Sequence, residues 1–174
     1  MKYKGSLDLL AKIITIGITV LFVGVGLFSV MALLNDVTKL ILMYYGLIIL
    51  TITTLLGSYL YSPQMYEIRD RQFIIRRPIG PKRINLTDIT EIKKIRKEEM
   101  AGTIRIFGVG GLFGYIGKFH NSRFGNMTYY LTQRKNMILL KTKNGKKIII
   151  SPDDITLADK LEEAINMNST KDRL

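Results

Sequence analysis

Cysteine is absent from this 174-residue chain, histidine occurs once and proline only four times. Without cysteine there is no disulfide and no thiolate metal site, and His120 alone cannot build a histidine metal cluster. Acidic residues are scarce as well: 14 Asp and Glu stand against 26 Lys and Arg, a formal net charge of +12. Two stretches lack charge altogether, residues 13–34 and 40–61, each 22 residues long. Neither interior holds an Asp, Glu, Arg or His, the groups that channels and transporters place along their paths, so the pair reads as an anchor. Neither run contains a G-x-x-x-G pair to specify tight helix packing.

What is present begins with those runs. A helix needs about 20 apolar residues to cross the hydrocarbon core, so each run is long enough to span. Between them lies only Asn35-Asp36-Val37-Thr38-Lys39, a polar turn that predicts a two-helix transmembrane hairpin. A signal peptide would have an apolar core of ~7–15 residues followed by an A-x-A site, and the first run fits neither requirement. Lys2, Lys4 and Lys12 precede the first run, and Arg69, Arg71, Arg76 and Arg77 follow the second, whereas the turn offers Lys39 offset by Asp36. Basic flanks stay in the cytoplasm, which predicts cytoplasmic termini and a cytoplasmic soluble part. The chain divides into residues 1–61, tail and hairpin; residues 62–167, one soluble domain; and residues 168–174, a frayed tail. From Ser62 onward 22 basic residues face 12 acidic ones. That surplus favours anionic neighbours, either acidic lipid or an acidic protein, and no base-reading motif points to nucleic acid.

After Ser62-Pro63 the apolar period becomes alternating. Tyr66 and Ile68, then Phe73 and Ile75, predict two strands turned at Asp70-Arg71. Gly80-Pro81 interrupts, and residues 84–97 read as a strand kinked near Asp88. Residues 127–133, 137–143 and 146–151 predict a three-strand meander, with Asn144-Gly145 supplying a type I′ turn. Ser151-Pro152-Asp153-Asp154 has the composition of a helix start, and Leu157, Leu161, Ala164 and Ile165 give an amphipathic face that frays from Asn166.

Between these elements, glycines recur at 108, 111, 114 and 117, with Gly110 extra, among Phe107, Phe113, Tyr115 and Phe119. A dinucleotide loop would need a third glycine where Phe113 stands, and no G-K-[ST] follows for a phosphate loop. Two readings remain open: a bent strand whose aromatics fill the domain's own core, or an interaction surface.

The order of short strands, the run Phe107-Gly108 through Gly111-Leu112-Phe113-Gly114-Tyr115 to Gly117, and Ser151-Pro152-Asp153-Asp154 before a helix resembles bacterial pleckstrin-homology-like (PH-like) domain proteins with amino-terminal membrane helices. The resemblance implies a membrane-anchored α+β chain: the hairpin, then a bent antiparallel β-barrel or sandwich capped by one carboxyl-terminal helix. It also implies the bacterial inner membrane as location. Lipid-binding members use basic residues in the loop between their first two strands, and the matching loop here, Arg69-Asp70-Arg71, is short and partly acidic.

The expected function is a non-catalytic, membrane-tethered interaction module that self-associates or docks a membrane protein partner, with no cofactor. Its candidate surface is Phe107, Gly108, Gly111, Phe113, Gly114, Tyr115, Gly117 and Phe119. The alternative is a sensor of anionic lipid headgroups or a small anion through Lys82, Arg83, Lys93, Lys94, Arg96 and Lys97. His120 and Ser122 have neither a nucleophile elbow nor a paired acid motif around them, so a hydrolase is not expected.

Overall fold

The computed structural model describes residues 1–35 and 41–171, apart from the side chains of 168–171. Its two longest helices, α1 (Leu9–Leu34) and α2 (Ile41–Tyr61), coincide with the charge-free runs and are long and apolar enough to cross a membrane. Only 6% and 11% of their most apolar windows are buried inside the molecule, which is the pattern of lipid-facing helices rather than core helices. Ser29, Thr53 and Ser58 turn their hydroxyls back onto the carbonyls of Val25, Ile49 and Thr54. No side-chain donor is then left to face hydrocarbon at those positions. Phe28 of α1 meets Tyr44 of α2 edge-on, with ring centroids 6.4 Å apart. The expected turn between the helices lies, from Asp36 to Lys39, outside the described residues.

The rest of the chain forms two sheets and a helix. The first sheet has the order β1-β2-β3-β4, all antiparallel: β1 (Lys2–Lys4), β2 (Met65–Arg69), β3 (Gln72–Arg76) and β4 (Lys82–Asn85). A 3₁₀ turn over Leu86–Asp88, at the expected kink, carries the chain into the second sheet. That sheet comprises β5 (Ile89–Ile95), β6 (Ile104–Gly111), β7 (Gly114–Asn121), β8 (Gly125–Leu131), β9 (Met137–Thr142) and β10 (Lys147–Ile150), in the order β5-β9-β10-β8-β7-β6. The sheets pack as an open sandwich, not a closed barrel. Tyr66, Phe73 and Ile75 of the first sheet meet Ile138, Leu140 and Ile150 of the second, and α3 (Leu157–Lys171) closes the core with Leu157 and Leu161. Each such side chain stabilises the fold by about 1.5–3 kcal/mol when fully buried.

Four local expectations are corrected. The last three strands are not a meander: β10 inserts between β9 and β8 and runs parallel to β8. The hydroxyl of Ser151, just past β10, accepts the amides of Thr132 and Gln133, just past β8, and so ties these two strand ends together. Ser151 therefore does not start the helix. Asp154 instead accepts from the Thr156 amide, which holds its carboxyl below the usual range, and α3 begins at Leu157. Only Gly145 of the Asn144-Gly145 pair has positive φ; the two-residue I′ arrangement occurs at Asp70-Arg71, with φ of 49° and 59°. Finally, α3 runs through Asn166 to Lys171, while residues 172–174 of the expected frayed tail lie outside the described residues.

The amino-terminal tail, read with the anchor in sequence, supplies β1 to the first sheet and then meets the second. Asp8 is the pivot. Its amide donates to Thr132 O (3.1 Å), and its carboxylate caps α1 by accepting from the Ala11 amide at 2.8 Å. The same carboxylate accepts from Tyr115 Oη (3.2 Å) and from the Arg134 amide (3.2 Å). Burial, then the Asp8 charge, pushes the Tyr115 phenol up to about 12. Tyr66, fully enclosed between the sheets, is likewise raised by burial to about 12. A phenol that holds its proton longer when folded contributes stability that is complete below the unfolded value of 10.0 and is lost as pH rises toward about 12. Asp8→Ala is expected to cost about 1–2 kcal/mol of stability through the lost cap and hydrogen bonds. It is also expected to lower the pH at which Tyr115 ionises, a shift read by ultraviolet titration of the detergent-solubilised protein beside its thermal melt.

Candidate interaction site

The glycine-aromatic run is one hairpin, β6 and β7 joined at Leu112-Phe113. Its glycine spacing follows from the register: Gly108 pairs with Gly117 and Gly111 with Gly114, mirrored about the turn. At the first pair φ is +107° and +133°, and a Cβ on either residue would lie 2.1 Å from a carbonyl oxygen of the opposite strand. Only glycine permits that approach.

The tip of the hairpin faces the anchor. Thr15 Oγ1 of α1 donates to Gly111 O (3.2 Å) and accepts from the Phe113 amide (2.9 Å). Phe113 meets Tyr59 of α2 edge-on at 5.5 Å. Nearby, Arg77 lies 5.6 Å from both the Tyr61 ring of α2 and the Tyr130 ring of β8, a second tie between helix and sheet. Tyr115 and Phe119 point into a second core on the outer face of the larger sheet, where Phe119 stacks on Tyr129 at 4.0 Å. Of the four candidate aromatics, only Phe107 stands in solvent, 75% exposed. The run thus supplies Tyr115 and Phe119 to the domain's own core and leaves Phe107 exposed.

The root of the hairpin is different. Strand β6 ends the sheet order, so its outer edge has no strand partner among the described residues. Ile104 and Ile106 are 68% and 59% exposed beside Phe107, and Ile106 sits in a bulge between Arg105 and Phe107. Sequence reasoning passed over both isoleucines because the glycines next to them hid the strand.

The candidate basic residues do not form one face. Lys94 reaches Asp159 of α3 (2.7 Å) on one side of β5; Lys93 reaches Glu99 (3.4 Å) and the Phe124 ring on the other. The Arg96 amide, then Lys93, hold the Glu99 carboxyl below its usual range. Lys97 rims an apolar recess of about 520 Å³ lined by Met100, Tyr115, Phe119 and Met137. Arg83 and Lys82 alternate on β4, with Lys82 on the side of the buried Ile84. There Lys82 borders a cleft of about 580 Å³ where the sheets splay, together with Ile106, Tyr130, Lys118, Lys146 and Lys147. The last three lysines were not among the sequence candidates, since Lys118 lies in β7 and Lys146-Lys147 at the start of β10, far apart in the chain. His120 Nδ1 lies 2.8 Å from Asn126 Oδ1 at an exposed position of β7, with no carboxylate on that nitrogen.

Residues 64–167 match the family model described as bacterial PH domain. No curated protein and no solved structure matches the chain.

Gly117→Ala is expected to lower stability by at least about 2 kcal/mol, since it combines a strained φ with a backbone clash. Gly17→Ala, in α1 with nothing within 4 Å of the added carbon, should leave the melting temperature nearly unchanged.

Proposed function

Because the chain belongs to the bacterial PH domain family, a family of binding modules, we propose that it is a non-catalytic, membrane-tethered interaction module that docks a membrane protein partner by strand addition to β6. The observation that carries this reading is the free edge of an eight-residue strand bearing exposed Ile104, Ile106 and Phe107. An unpaired edge presents a row of amides and carbonyls to another chain, and proteins normally cover or charge such edges. The helices sit in the bacterial inner membrane with both termini and the sheets in the cytoplasm, as the basic flanks favour. Held there, β6 meets other membrane proteins at raised effective concentration.

Self-association through the same edge is the second form of this reading. It is less favoured because each copy brings a net charge of +12 and Arg105 on the strand itself. Phe113 and Tyr115 act in the junction and the second core, so their substitution would report on folding before docking.

A photo-crosslinking residue at position 107, tested in the native membrane, should give one dominant adduct, with none from position 135 on the β8–β9 connection. An adduct of twice the chain mass would identify self-association, and a different mass a partner. Adducts at 107 no stronger than at 135 would contradict the reading.

A further inference from the structure

The cleft beside β6 gathers four lysines, Lys82, Lys118, Lys146 and Lys147, from both sheets. At several other places basic side chains meet carboxylates: Arg76 on Glu67, Lys94 on Asp159, Lys141 on Glu91, Arg134 on Asp8. In the cleft no Asp or Glu lines the walls, and the ammonium groups of Lys82, Lys118 and Lys146 make no hydrogen bond or ion pair among the described residues. Lys147 spends its ammonium on the Phe124 carbonyl (2.6 Å). Apolar wall is interleaved with the lysines: Ile106, Met127, Tyr130 and Ile148. Since Ile106 belongs to both, the cleft and the free edge of β6 are one continuous surface.

We propose that this surface receives an extended acidic segment of a partner protein, its backbone along β6 and its Asp or Glu side chains on Lys82, Lys118 and Lys146. The proposal rests on the docking role of β6 and names the chemistry of the partner. Other occupants fit less well. Free phosphate would leave the apolar wall unused. A second copy would set its own lysines against these. Acidic lipid reaches Lys82 alone, three residues beyond Ile79, whose amide donates to Leu60 O of α2; Lys118 stands four residues from Gly114 at the anchored tip, and Lys147 four from Ser151. At about 3.3 Å per residue that is about 13 Å along each strand, more than the Debye length of about 8 Å at physiological salt.

The test uses full-length protein in neutral-lipid nanodiscs and two dye-labelled eight-residue peptides, one alternating valine with glutamate and one alternating valine with lysine. By fluorescence anisotropy the glutamate peptide is expected to bind at least ten-fold more tightly. That affinity should fall at least ten-fold in Lys118→Glu/Lys146→Glu and also in Ile106→Ser/Phe107→Ser; all four positions are on the surface, and thermal melts verify folding. Loss in the β6 variant with no change in the lysine variant would keep β6 as a docking strand and overturn the acidic partner. Loss in the lysine variant alone would overturn strand addition, leaving a polyanion in the cleft. Equal binding of both peptides, no binding of the glutamate peptide, or its displacement when acidic lipid replaces neutral lipid would each overturn the proposal.

Discussion

The carboxylate of Asp8 joins the lipid-facing and water-facing parts of the chain. It caps the first turn of α1, where the free amides of a helix need an acceptor, and in the same position it receives Tyr115 and the Arg134 amide from the larger sheet. A helix whose capping carboxylate is also bound to the sheet side cannot swing independently of that sheet. Thr15, about two turns further on, fastens the hairpin tip to the same helix, while Tyr59 and Tyr61 bring α2 against Phe113 and Arg77. The soluble part is a continuation of the anchor rather than a domain on a leash.

That joint explains the division of labour within β6 and β7. At the tip, the glycines and Phe113 are committed to the helices, and Tyr115 and Phe119 to packing beneath the sheet. At the root, the strand leaves the molecule with its apolar side chains still exposed and with unpaired lysines beside it. The joint therefore sets where that root stands relative to the two helices.

Much of this was readable in the residues, and the parts that were not have physical reasons. Uninterrupted apolar runs leave no alternative to long helices, so α1 and α2 emerge within a few residues of their expected ends. Alternation likewise located β2, β3, β9 and β10, because the side-chain period of a strand is local. Strand order is not local: the parallel partnership of β10 with β8 depends on the Ser151 hydroxyl meeting amides 18 and 19 residues away. The Asn-Gly pair signalled a turn but not its type, and the positive angles of Asp70 and Arg71 are imposed by the tight β2–β3 register. The spacing of glycines 108, 111, 114 and 117 mirrors about Leu112-Phe113 as a hairpin requires, but the same spacing is also a period of three, and only the register separates the two. Basic residues were legible as charge but not as a site, because only the fold tells which of them find carboxylates.

Rigidity between anchor and sheet is the claim on which this account stands, and the absence of native cysteine makes it directly measurable. Spin labels at Val20→Cys in α1 and Ile104→Cys in β6, both exposed positions, report the distance between the first helix and the free edge of β6 by pulsed electron resonance in nanodiscs. A single narrow distance distribution that broadens when Asp8→Ala and Thr15→Val are introduced is the expected result. A broad distribution in the otherwise unaltered protein would contradict it, since the sheets would then be tethered to the helices without being held by them.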